Sequence, residues 1–151
     1  MDSDSNDARV NYTKDAQLIV SKIDDKKVFG LGGIRRSQLY LYAVALGLAQ
    51  GKRTPLRDIY SGGLVVDHSI ESSVRSLLFA QVISEALSVN PDIIEEAVDK
   101  KYVYRLSDEY ANTGFIYLEE IYEKYSEDES AYIFKAIDGL DTLFKRNVKN
   151  K

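Results

Sequence analysis

The chain of 151 residues contains no cysteine, no tryptophan, one methionine, two prolines and a single histidine. Without cysteine there is no disulfide, no thiolate nucleophile and no cysteine-based zinc site. One histidine, His68, leaves no set for a multi-histidine metal centre. Two prolines among 44% apolar residues argue against a disordered chain and for a packed core. Long hydrophobic runs are absent too. The longest, Tyr40 to Ala49, falls well short of the ~20 residues of a membrane span. The first seven residues, Met1-Asp2-Ser3-Asp4-Ser5-Asn6-Asp7, are acidic and polar, unlike a secretory signal. The expectation is a cytoplasmic protein that needs no cofactor and meets no membrane.

The net charge of −4 conceals an asymmetry. Between positions 22 and 57, Lys22, Lys26, Lys27, Arg35, Arg36, Lys52, Arg53 and Arg57 face only Asp24 and Asp25, a balance of +6 that leaves −10 elsewhere. Arg35, Arg36, Lys52, Arg53 and Arg57 are therefore candidates to contact nucleic acid or an acidic partner, against the plain alternative of a solvated face. No helix carries the basic stripe of a recognition helix, and a pI near 5.1 disfavours non-specific DNA binding.

The spacing predicts a mainly α fold: a compact single-domain bundle of five to six helices around a buried central helix, with room for a two-stranded β element. Residues 1–11 read as a disordered tail and 12–147 as one helical domain. Thr13 is placed to cap a first helix with Ala16, Ile19, Val20 and Ile23 on its apolar stripe. Gly30-Leu31-Gly32-Gly33 reads as a hinge, or as an anion-contacting nest followed by Ile34-Arg35-Arg36. The central helix runs from about Ser37 to Ala49, apolar nearly all round, with Gly51 as a left-handed cap and Pro55 beyond it. A third helix is expected over 69–87. Asn90-Pro91-Asp92 opens a short fourth one that ends near Lys100. Tyr102-Val103-Tyr104 looks extended and is matched with Val65-Val66. Ser107 then caps a fifth helix, and a last one starts at Asp128 or Ser130. Leu39, Tyr42, Ala43, Leu46, Leu77, Leu78, Leu118, Ile121 and Phe134 are expected in the core.

Catalytic patterns are sparse. Asp67-His68-Ser69 juxtaposes three catalytic residue types, but a triad is a spatial relation, and a helix start capped by Ser69 explains it better. The pairs Asp24-Asp25, Glu95-Glu96, Asp108-Glu109 and Glu119-Glu120 are expected to face solvent, because carboxylate chemistry needs groups converging from separate elements. The glycine-rich loop lacks the Gly-Lys-Ser/Thr ending of a phosphate loop. Among eleven tyrosines, Tyr110, Tyr117, Tyr122 and Tyr125 lie along one helix and form a candidate protein interface, the alternative being core rings with wet hydroxyls. Gly47 admits close approach of another backbone. Asn112 and Gly114, poor helix formers, point to tight packing or a kink.

Two stretches carry a family resemblance. Tyr40-Leu41-Tyr42-Ala43-Val44-Ala45-Leu46-Gly47-Leu48-Ala49-Gln50-Gly51-Lys52-Arg53-Thr54-Pro55-Leu56 and Asp108-Glu109-Tyr110-Ala111-Asn112-Thr113-Gly114-Phe115-Ile116-Tyr117-Leu118 resemble small proteins encoded beside the bacterial and archaeal Dnd genes for DNA phosphorothioation. Thr113 stands where that pattern favours glycine. The resemblance implies an accessory role in defence against foreign DNA, with other subunits of a defence or DNA-processing complex as partners and no catalytic residues to carry over. A direct DNA-binding protein using positions 22–57 is the alternative. Homo-oligomers stay open.

Overall fold

The computed structural model describes residues 9–26, 36–60, 65–66, 72–125 and 128, and beyond these Phe134, Lys135, Ile137, Asp138, Asp141 and Lys145. The Gly30-Gly33 loop, Arg35, Asp67-His68-Ser69 and most of the expected last helix lie outside the described residues.

The chain is mainly helical. In order come β1 (Arg9–Val10), α1 (Lys14–Lys26), α2 (Arg36–Gln50), β2 (Val65–Val66), α3 (Ser72–Val89), two 3-10 turns (Pro91–Ile94 and Glu96–Val98) and α4 (Lys100–Tyr125). The described residues thus form four α-helices where five to six were expected. Asn90 caps its neighbour as anticipated, accepting from the Asp92 N–H at 3.1 Å, but the segment it opens is 3-10 rather than α. The expected strand at Tyr102-Val103-Tyr104 is the beginning of α4. Its true cap is Asp99, whose carboxylate accepts from the Lys101 N–H at 3.0 Å. Ser107 sits seven residues inside the helix and is buried. Aromatic and β-branched residues favour strands only where a pleated surface awaits them. Here Val103, Ser107, Tyr110, Gly114, Leu118 and Ile121 continue one helical stripe into the core.

Val65-Val66 do pair, but with β1, antiparallel, Arg9 opposite Val66 and Val10 opposite Val65. Arg9 to Asn11, which composition groups with the tail, are therefore part of the fold. The pairing continues as Thr13 bridges Ile59, with the Lys14 N–H on the Asp58 carbonyl and the Tyr60 N–H on the Tyr12 carbonyl, each at 2.9 Å. Asp58 makes the turn into this bridge at a φ of 53°, a left-handed conformation that aspartate tolerates better than most residues.

Helix ends follow their local chemistry. Thr13 caps α1, its hydroxyl oxygen accepting from the Ala16 N–H at 3.0 Å. Gly51, at φ 63°, ends α2 in a Schellman turn, with its own N–H on the Leu48 carbonyl and the Lys52 N–H on that of Gly47.

The core gathers around α2 and α4. Leu39, Tyr40, Ala43, Val44 and Leu46 of α2 meet Val103, Tyr104, Leu106, Tyr110, Ala111, Phe115 and Leu118 of α4. The Tyr12 ring lies between those of Tyr60 and Phe115, with centroids 5.5 and 6.5 Å away. Two expected core members are not there. Leu77 is 62% exposed and Phe134 66% exposed. Helix α3 turns Leu78, Val82 and Ala86 inward at four-residue spacing, and Leu77, one step of 100° away, faces out. Tyr42 is half-buried.

Candidate functional site at the joint of α2, α4 and residues 52–58

The two resembling stretches fold against each other. A Cβ on Gly47 would overlap the Tyr110 carbonyl, lying 2.6 Å from its carbon, and a Cβ on Gly114 would meet the Ala43 carbonyl in the same way. This reciprocity lets α2 and α4 touch backbone to backbone. It also explains why α4 keeps a glycine despite a helix penalty of about 1 kcal/mol.

Beyond Gly51 the exit segment is tied to α4 residue by residue. The Thr54 N–H bonds the Glu109 carbonyl at 3.1 Å. Its hydroxyl bonds that of Thr113 at 2.8 Å, and Thr113 in turn donates to the Glu109 carbonyl at 3.3 Å. The Asn112 amide nitrogen donates to the carbonyls of Thr54 and Pro55 at 3.2 and 3.4 Å. Arg53 pairs with the Glu109 carboxylate at 3.5 Å. Asn112 and Thr113 are thus the side chains that satisfy an extended segment with few backbone partners of its own. Thr113 supplies a side-chain bond that a glycine at this position would lack.

Deeper lies a buried carboxylate. Asp108, 4% exposed, accepts from the Asn11 N–H at 3.0 Å and from the Tyr40 hydroxyl at 2.8 Å. Since Tyr40 donates there, Ser107, 2.8 Å away, donates to Tyr40. Desolvation pushes Asp108 up from 3.8 to about 7, against the pull of the Asn11 and Tyr40 bonds, with a further upward push from Glu109. Burial also holds the Tyr40 hydroxyl well above its ordinary value, with the Asp108 charge adding to it. Of the Asp108-Glu109 pair expected in solvent, Asp108 is therefore a core residue that ties Asn11, just after β1, and α2 to α4.

The basic candidates do not converge. Arg36 opens α2 while Lys52 lies just past its far end, about 21 Å along a 15-residue helix. Lys52, Arg53 and Arg57 share the exit segment and are exposed, although Arg53 is already paired with Glu109. The tyrosine candidates divide as well. Tyr110 and Tyr122 are core rings, 2% and 8% exposed, and so do not form an open interface, whereas Tyr117 and Tyr125 are half-buried. Burial raises the Tyr110 and Tyr117 hydroxyls above their ordinary range.

Outside this joint, Thr13, Asp15 and Ala16 of the α1 start, Thr54, Pro55 and Arg57 of the exit segment, and Asn112, Phe115, Ile116 and Glu119 of α4 enclose a cleft of about 360 Å³. Among the described residues no three His, Asp or Glu side chains come together as a metal set, and no helix is long and apolar enough to cross a membrane. The residues that sequence reasoning undervalued are Asp108, Asn112, Thr113 and Thr54. For Asp108, Asn112 and Thr113 the signal was present as polar residues at core-stripe positions of α4, whereas Thr54 lies outside any helix. Comparison with family models, with curated proteins and with solved structures gives no match.

Proposed function

We propose that this chain is a non-catalytic accessory subunit of a prokaryotic DNA-modification-linked, phosphorothioation-type antiphage defence complex, acting through protein–protein contacts. The resemblance supplies the biological setting. The observation that supports the non-catalytic part is the use made of the shared residues. Gly47, Gly114, Thr54, Asn112 and Asp108 are all engaged in the α2–α4 joint, as close-approach glycines or as bonded polar groups. Residues engaged this way hold the helices together, which supports a structural rather than a catalytic use of them.

The test is co-purification. The tagged full chain, co-expressed with the proteins of a phosphorothioation system, is expected to elute with at least one of them through a high-salt wash. Elution alone under all conditions would overturn the reading.

A second reading, direct DNA contact, is favoured by one observation: Lys52, Arg53 and Arg57 are exposed within six positions of one segment. Two or three phosphate contacts would make duplex affinity fall roughly 10- to 40-fold for a fourfold rise in salt. The Arg53–Glu109 pair weakens this reading, since one of the three cations is already compensated.

A further inference from the structure

Asp108 is closed off from water on unequal terms. Two of its walls are helices locked together: α4, which carries it, and α2, which α4 meets backbone to backbone at Gly47 and Gly114. The third wall is the N-terminal segment. Its Asn11 N–H donates to Asp108 Oδ2 at 3.0 Å, and Asn11 is itself exposed, so this wall is a residue that already meets water.

The segment is lightly held. Before Asn11, β1 pairs over only two residues, Arg9 with Val66 and Val10 with Val65. After Asn11 the chain is anchored firmly, with Tyr12 1% exposed between the Tyr60 and Phe115 rings and Thr13 capping α1. Residues 9–11 thus make a short strap that ends at a fixed point, Tyr12, and is fastened to the core by the Asp108 bond.

That fastening lacks a counter-ion. Among the described residues no cation pairs with Asp108. The titratable groups facing it are Tyr40 of α2, with Tyr104 of α4 beside it, and Glu109 of α4. From the N-terminal side it meets the Asn11 amide. Neutral hydroxyls and a second carboxylate cannot compensate a buried negative charge, so an ionised Asp108 is relieved by admitting water. Parting α2 from α4 would give up the core. Lifting the strap gives up a two-residue pairing and one hydrogen bond.

We infer that residues 9–11 form a pH-responsive strap, closed over neutral Asp108 and released when that carboxyl ionises. Release returns Asp108 to water and leaves Val65–Val66 without its partner strand. The sign agrees with the effect of burial, which pushes Asp108 up from 3.8 to about 7. Between those values the closed form holds a proton that the open form has lost. Each unit rise in pH therefore favours opening by up to about tenfold, and the effect levels off above the upper value. The strap is independent of the proposed accessory role and stands or falls separately.

Amide hydrogen exchange on the ¹⁵N-labelled full chain, at pH 5, 6 and 7 with and without about 1 M urea, tests it, because local opening and global unfolding are read at separate amides. The Asn11 amide reports the strap, and those of Val44 and Ala111 report the core. After correction for the intrinsic rate, Asn11 protection should fall roughly 50-fold from pH 5 to 7. It should lie below that of the core amides and be insensitive to urea, as expected for an opening that exposes little surface. In Asp108→Asn it should stay constant with pH. Constant protection in the parent overturns the inference. An Asn11 amide that exchanges with the urea dependence and protection of Val44 and Ala111 also overturns it, since the strap then opens only when the whole domain unfolds. So does a pH dependence that survives in Asp108→Asn.

Discussion

Replacing Asp108 by asparagine tests the buried joint most directly. In the folded chain burial holds this carboxyl at about 7 instead of 3.8, so the fold disfavours its ionised form by about three pK units. At ~1.4 kcal/mol per unit this comes to about 4 kcal/mol. The sign follows from proton counting. Between about pH 4 and 7 the folded state holds a proton that the unfolded state has lost. The Asp108 contribution therefore declines as pH rises through that window and is level above it. The groups facing Asp108 are the hydroxyls of Tyr40 and Ser107 and the Asn11 N–H, with Glu109 as its charged neighbour. An amide satisfies all of them. Its oxygen accepts from Asn11 and its NH₂ donates to the Tyr40 oxygen, while Tyr40 turns to donate to Ser107. Asp108→Asn, if it matches the parent below about pH 4, should thus exceed it by about 1–2 kcal/mol near pH 5 and by up to about 4 kcal/mol near pH 8. For a domain of this size that corresponds to about 10 °C in melting temperature. Urea midpoints at pH 5, 6, 7 and 8 measure the difference. A difference that is flat, or that shrinks as pH rises, refutes the reasoning. Asp108→Ala serves as control. It leaves the Asn11 N–H and the Tyr40 hydroxyl without their partner and should lie about 1–3 kcal/mol below Asp108→Asn at every pH, with the same pH dependence.

Gly47→Ala and Gly114→Ala should each cost about 3 kcal/mol or more, because the added methyl meets a helical backbone carbonyl that no rotamer change can move. A chemical denaturation curve within 1 kcal/mol of the parent would show that the helices do not touch there. On α3, Leu78→Ala should cost about 2–5 kcal/mol and Leu77→Ala under about 0.5, and the reverse order would mean that the helix is rotated. Thr13→Ala should lower stability by about 1 kcal/mol through the lost cap on α1, and an unchanged thermal midpoint would contradict that role.

Local chemistry was legible wherever a residue acts on its own neighbours. The Thr13 cap, the left-handed Gly51, the Asn90 cap and the apolar α2 depend on interactions within a few positions, and the structure has each of them. Gly47 and Gly114 announced close packing, because glycine inside a helix is costly without a compensating contact. The partner in that contact, each helix serving the other, was not readable. It depends on residues more than sixty positions apart. The same limit explains the misplaced start of α4. Ser107 is a good cap by propensity, and only its burial against Tyr40 turns its hydroxyl to another use. Asp108 looked like half of a solvated acidic pair, because charge is visible in a sequence and desolvation is not. Tertiary structure alone decided that Arg53 is neutralised by Glu109 and that Asp15, Arg57 and Glu119 share a cleft. The one-dimensional chain specifies which groups prefer to meet water, helix ends or apolar neighbours. Which groups meet each other is decided when α2 and α4 come close enough to exclude every side chain between them.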